Sequence, residues 1–281
     1  MKRIFIIFFI FIGIYLLFNA NIWEMFKFGG KTDEISINGI QLIDIDISGA
    51  HATIIPEKGN TVRAEVSNDG KVNIAKSGKS VKVTYEPSGL KLFQFGNGPK
   101  VKIYIPQDYN KDMDIATGSG LISFVGPSKT MTLKNLNVEL GSGKIDLENL
   151  QLKDFSFNGS SGIINIDKLI TKRGVISINS GVVNVNHYQG QLNAKVTSGL
   201  FHIQMDKLSD DILVKVGSGQ LKLDLPDDAD FKLKSNIGSG LLKCDYPLNN
   251  RVQEKKEISG THGTGEHDLK ISVSSGLVSI Y

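Results

Sequence analysis

A chain of 281 residues with 40% hydrophobic and 22% charged content is composed like a folded globular protein and not like a disordered one. Its formal charge of +3 includes Lys2 and Arg3, and only Arg63, Arg173 and Arg251 follow as arginines, so the body lacks the basic footprint of a nucleic-acid binder. The single cysteine, Cys244, excludes an intramolecular disulfide and a thiolate-rich metal site.

The first element follows Lys2 and Arg3 directly. Ile4 to Phe18 carries no charge and no strong polar group, and Ile4 to Trp23 spans 20 residues, about 30 Å as a helix, enough for a bilayer core. The flanking positive charges predict a cytoplasmic N-terminus, and Trp23 suits the outer interface. Cleavage after Ala20 would put Phe18 where a signal peptidase takes a small residue, so the segment is expected to stay as an anchor. These features predict a cytoplasmic stub and transmembrane signal-anchor over 1–23, a linker over 24–35 and an extracytoplasmic domain over 36–281.

Glu34 to Tyr109 alternates apolar and polar residues in short runs: Ile43–Ile47, Val81–Tyr85 and Val101–Ile105, separated by polar turns such as Asn68-Asp69-Gly70. A repeat then takes over. Ser-Gly steps lead into SGLISF from Ser119, SGKIDL from Ser142, SGIINI from Ser161, SGVVNV from Ser180 and SGLFHI from Ser198. SGQLKL from Ser218, SGLLKC from Ser239 and SGLVSI from Ser275 complete the series. The period is about 20 residues, with one insertion before the last copy.

The second and fourth residues after each glycine are apolar, as in Ile164/Ile166 or Leu242/Cys244, and the residue between is mostly polar, so each copy supplies a strand with one buried face. An apolar residue also sits two before most of the serines, for example Leu140, Ile178 and Val196. From there to the first buried residue past the glycine is an odd step, which a straight strand cannot bury on one side. The Ser-Gly step must therefore be a corner or bulge. Regular corners predict an all-β protein, a β-solenoid whose coils each stack on the one before. A meander of antiparallel hairpins is the alternative. One longer echo ties the halves together: a strand ending at Pro106 precedes Gly118-Ser119-Gly120, and one ending at Pro226 precedes Gly238-Ser239-Gly240 at the same distance.

The strand-Pro-strand-Gly-Ser-Gly unit at 101–124, the Ser-Gly repeats from 142 to 244 and the closing Gly263-x-Gly265…ISVSSGLVSIY resemble the bacterial "putative adhesin" family of β-solenoid proteins. With the N-terminal anchor, the chain is most similar to its LiaG-type members, which are encoded beside cell-envelope stress systems of Gram-positive bacteria. The resemblance implies a membrane-anchored or exported repeat protein. It carries over no catalytic residue and no cofactor.

Reactive residue types fall in places that repetition already explains. Cys244 takes the position where other copies have Leu, Ile, Val or Phe, and is expected in the core. His202 belongs to the polar outward column and His187 to a strand-to-turn region. Thr261 to Asp268 gathers two His, a Glu and an Asp in a Gly-rich stretch, but the spacing fits no helical zinc motif, and a solvated loop is expected. Asp44/Asp46 and Asp112/Asp114 lie on strand faces about 7 Å apart, a separation that glycoside hydrolysis can use. No convergent basic group accompanies them. The Gly-Ser-Gly steps lack Walker spacing. No catalytic, cofactor or metal site is expected, and the protein reads as a non-enzyme.

Two functional classes stay open on sequence. One is a binding module that presents its flank to wall polymer, lipid headgroups or a protein. The other is an accessory regulator or sensor of an envelope-stress response, acting through a membrane protein partner.

Overall fold

The computed structural model describes residues 34–67, 70–88, 98–126 and 130–281. The predicted membrane segment at 4–23 lies outside the described residues, among which no helix is long and apolar enough to cross a membrane.

The first strands in chain order are β1 (Glu34–Ser36), β2 (Leu42–Asp46), β3 (Ala50–Glu57), β4 (Thr61–Ser67), β5 (Lys71–Ser77), β6 (Ser80–Glu86) and β7 (Lys100–Pro106). Next are β8 (Asp112–Thr117), β9 (Gly120–Val125), β10 (Met131–Leu140), β11 (Lys144–Gly159), β12 (Ile163–Ile178) and β13 (Val182–Val196). There follow β14 (Leu200–Met205), β15 (Ile212–Val216), β16 (Gln220–Asp224), β17 (Phe231–Ile237) and β18 (Leu241–Cys244). The chain closes with β19 (Asn249–Gln253), β20 (Ile258–His262), β21 (His267–Val273) and β22 (Leu277–Ile280).

Parallel ladders, not hairpins, hold the repeats together, so the protein is a β-solenoid. Strand segments before the Ser-Gly corner pair in the order β6–β2–β8–β10–β11–β12–β13–β15–β21–β17. Segments after it pair as β7–β3–β9–β11–β12–β13–β14–β16–β22–β18. In the middle of the stack β11, β12 and β13 run on through a third side, where Leu150, Leu169, Tyr188 and Met205 lie in register.

The corners obey the parity argument. Gly162 has φ +126° and Gly181 φ +135°, a region nearly closed to residues with a Cβ, and the turn they allow keeps the apolar residues on both sides pointing inward. A second corner, between the post-corner sheet and the third side, stacks Asn149, Lys168 and His187, all left-handed with φ between 55° and 59°. The core is a set of columns one strand spacing apart, such as Ile122–Ile145–Ile164–Val183–Phe201, every member at most 1% exposed. Tyr188, fully buried, donates its hydroxyl to Gln191 O at 2.6 Å and fills the space a Cβ would need at Gly174.

The expectation that each coil stacks on its predecessor fails at both ends. β2–β3, first in the chain, lies inside the coil β6–β7. Likewise β21–β22, last in the chain, lies between β15–β16 and β17–β18. Each tucked coil gains a parallel partner on both sides, where an outermost one would leave backbone groups unpaired.

The outer coils are closed by antiparallel strands. β5 covers β6, and β4 with β1 covers β7. At the far end the insertion before the last copy is the hairpin β19–β20, which covers β17. There Ser235, buried in an inner column, exchanges hydrogen bonds with both backbone groups of Ile258, at 2.8 and 2.7 Å. β18 pairs with β22 alone among the described residues, and its shortness and outward Lys243 blunt the edge. The Pro106 and Pro226 echo is a shared turn, since Tyr109 N donates to Pro106 O (3.0 Å) and Ala229 N to Pro226 O (2.9 Å).

Candidate functional site

Stacking identical corners turns the repeat into surface columns. The serines of the corners, running Ser119–Ser142–Ser161–Ser180–Ser198–Ser218–Ser275–Ser239 in space, are all exposed and form a hydroxyl ridge along the solenoid. Beside it runs a second outward column of the post-corner sheet: Leu121, Lys144, Ile163, Val182, Leu200, Gln220, Leu277 and Leu241. Six of its eight members are aliphatic; Ile163, Leu200 (51%) and Leu241 (63%) are exposed and the others half-buried. Lys144 and Gln220 interrupt the column, and Ile163, Val182 and Leu200 make its longest unbroken aliphatic run before Leu277 and Leu241.

The third outward column is polar and partly self-satisfied. Asn165 Nδ2 donates to Asp146 Oδ1 at 2.7 Å, and Asn184 Nδ2 to Asn165 Oδ1 at 2.9 Å. His202 and Lys222 continue it. At its end the Tyr281 ring reaches back over two strands, bringing its hydroxyl 3.5 Å from His202 Nε2. Burial and the nearby Asp224 raise the Tyr281 pKa.

On the pre-corner sheet the two Asp pairs come together, because β2 and β8 are neighbours and Asp44 lies in register with Asp114. They do not form an acid–base pair around a vacant centre. Asp44 binds Lys82 Nζ at 3.0 Å, Asp114 accepts from Asn137 Nδ2 at 2.8 Å, and Asp112 accepts from Asn135 Nδ2 at 2.8 Å. These are ladder contacts between adjacent coils, each engaging one oxygen of its carboxylate.

Cys244 is 7% exposed, in register with Ile280, and burial raises its thiol pKa, so it sits in the core as the repeat implies. His187 pairs with Asp206 at 2.8 Å across adjacent coils, and that hydrogen bond raises its pKa.

The 261–268 segment has its own internal explanation. The His262 ring packs on Tyr246 and Phe231 with Nδ1 3.0 Å from Pro247 O. The Asp230 carboxylate fills the loop instead, accepting from Glu266 N (2.9 Å), Thr264 N (2.9 Å), Thr264 Oγ1 (2.8 Å) and Gly265 N (2.5 Å). Among the described residues no group of three or more His, Cys, Asp and Glu is arranged to hold a metal ion.

The model of the Toastrack DUF4097 family matches residues 40–281, which includes every strand from β2 onward. The chain belongs to this family. No curated protein matches it. Three solved structures are similar to this Toastrack chain, each over 89% of its length. A "putative cell adhesion protein" from Clostridium sporogenes is 13% identical over 98% of its own chain, with a TM-score of 0.28. Two proteins called "putative adhesin" come from Parabacteroides distasonis (15% identity, 96% of that chain, TM-score 0.43) and Parabacteroides merdae (15%, 95%, 0.44).

Sequence reasoning about the Toastrack repeat missed the exposed apolar column and Tyr281. A signal for the column was present. The first residue after the repeat glycine is Leu, Ile or Val in six copies, although its parity turns it outward.

The Asp230 loop gives a pH prediction. Backbone donors from Glu266, then Thr264, hold the Asp230 pKa well below the carboxylate range. A depressed folded-state pKa stabilises the fold above the unfolded value, near 4, and loses that contribution as pH falls from there. Asp230→Ala is expected to melt below the parent at pH 7, with the gap narrowing progressively below about pH 4. A gap independent of pH in thermal melts would show that the carboxylate charge does not matter there.

Proposed function

We propose that the protein is a non-enzymatic binding module of the cell envelope, held at the membrane by residues 4–23 with its N-terminus cytoplasmic and its solenoid outside the cell. The observation that supports this best is the pair of adjacent columns on one flank, serine hydroxyls beside exposed aliphatics. They are repeated at one strand spacing, about 4.8 Å, along the stack. A surface that repeats in one direction suits an extended or repetitive target, whereas catalysis needs unlike groups converging on one point. Asp112, Asp114 and Asp146 each accept from an outward asparagine of the next coil, a ladder pattern that favours display over chemistry.

The test is co-sedimentation of residues 31–281, which contain the whole core, with intact wall sacculi and separately with anionic lipid vesicles. Saturable pelleting with one of them is the expected result. Pelleting with neither would move the binding target to a protein and favour the accessory role in an envelope-stress response.

A further inference from the structure

Two shallow depressions on the post-corner face meet at Leu200 and Gln220. The smaller, about 260 Å³, is walled by Tyr281 with Asn184, His202 and Lys222 around it. The larger, about 530 Å³, continues past Leu277 and Leu241 and along the hydroxyls of Ser218, Ser275 and Ser239. Together they make one continuous groove that runs from an aromatic wall across an aliphatic floor to the serine ridge.

Resting on the binding-module reading above, the geometry points to this groove as a glycan site that takes successive pyranose rings of a polysaccharide strand. A pyranose is amphipathic: its C–H face lies against aromatic and aliphatic groups while its equatorial hydroxyls and acyl amides seek hydrogen bonds. The lining offers both in alternation. Tyr281 and Leu200 supply the apolar contact, Asn184 and Gln220 amides, His202 an imidazole, and the ridge hydroxyls.

Other occupants fit less well. A peptide adding as a strand fits less well, because the backbone of β14, β16 and β22 is committed to its neighbours in the ladder and the open edge at β18 is only four residues long. Lys222 is the one charged residue lining the groove, too little cation for a polyphosphate or a nucleic acid. No carboxylate lines it to hold a metal ion.

The aromatic wall is fixed in advance. Tyr281 N donates to Leu223 O at 3.0 Å and Tyr281 O accepts from Leu225 N at 2.8 Å, so its backbone is part of the sheet. Less ordering entropy is then lost on binding.

The experiment uses the full chain in nanodiscs, pelleted with protease-treated sacculi, and competes it with soluble glycan released from the same sacculi by a muramidase. The expected result is pelleting that the released glycan abolishes, weakened about tenfold in Tyr281→Ala and in Leu200→Ser. Both residues are exposed, and unchanged thermal melts would show that the variants fold. Pelleting undiminished in both variants overturns the glycan groove while leaving the binding-module reading intact. Binding to anionic vesicles alone overturns it in favour of lipid, and binding to neither overturns the groove and moves the target to a protein, as above.

Discussion

A chain ending at Glu266 is expected to lose the integrity of its whole C-terminal end, not a single coil. In a solenoid stacked in chain order, the last coil has a partner on one side only, and removing it trims the molecule. Here β21 sits between β15 and β17, and β22 between β16 and β18. Among the described residues, their removal strips β18 of its one ladder partner, leaves β17 with only the β20 hairpin strand, and opens the edges of β15 and β16. It also takes out Leu269, Ile271, Val273, Val278 and Ile280, each at most 2% exposed.

At about 1.5–3 kcal/mol for each buried aliphatic, the loss is on the order of 10 kcal/mol, an upper-side figure because unfolded chains already bury some surface. That matches the whole stability of an ordinary domain, about 5–15 kcal/mol. The expected result is therefore a chain cleaved by limited proteolysis throughout 212–244, with a lower and broader melt. A truncated chain that resists cleavage there and melts within about 5 °C of the parent would show that β17–β18 can close the gap.

The physical origin of this arrangement explains what could be read in the sequence and what could not. The spacing from Ile178 to Val183 across Ser180-Gly181 demands a corner for steric reasons, and the structure puts φ +135° there. The inner columns follow from parity alone. The stacking order at the ends does not, because SGLLKC from Ser239 and SGLVSI from Ser275 present the same pattern to SGQLKL from Ser218. Either could pair with β16. The choice rests on the β19–β20 hairpin and on the burial of Tyr246, whose hydroxyl donates to Leu225 O at 2.7 Å, and these are long-range terms with no local signature. The groove was hidden for the same reason: Tyr281 and His202 are 79 residues apart in sequence and meet only through two ladders. The left-handed Asn149, Lys168 and His187 likewise lack a glycine to announce the second corner.

The second large effect is expected from one added methyl group. Gly162 lies in the middle of the corner column with φ +126°, and an alanine Cβ there would come within 2.6 Å of Gly143 O and 3.0 Å of Gly143 N in the coil beneath. The neighbour is backbone and cannot rotate away. Nor can the coils part to make room, because Gly143 O already accepts from Ile163 N and Gly162 O from Val182 N, both at 2.9 Å, at the fixed spacing of a parallel ladder. Strain in this backbone region alone is worth about 1–3 kcal/mol, and the contact adds to it, so Gly162→Ala should destabilise the protein by about 3 kcal/mol or more. For a domain of this size that corresponds to a melting point lower by roughly 6–12 °C. Ser161→Ala, one residue earlier on the exposed ridge, changes the same corner without touching the ladder and should stay within about 0.5 kcal/mol of the parent. Equal melts for the two variants would mean that the corner glycines are a feature of composition and not the contact that sets the stacking distance of the solenoid.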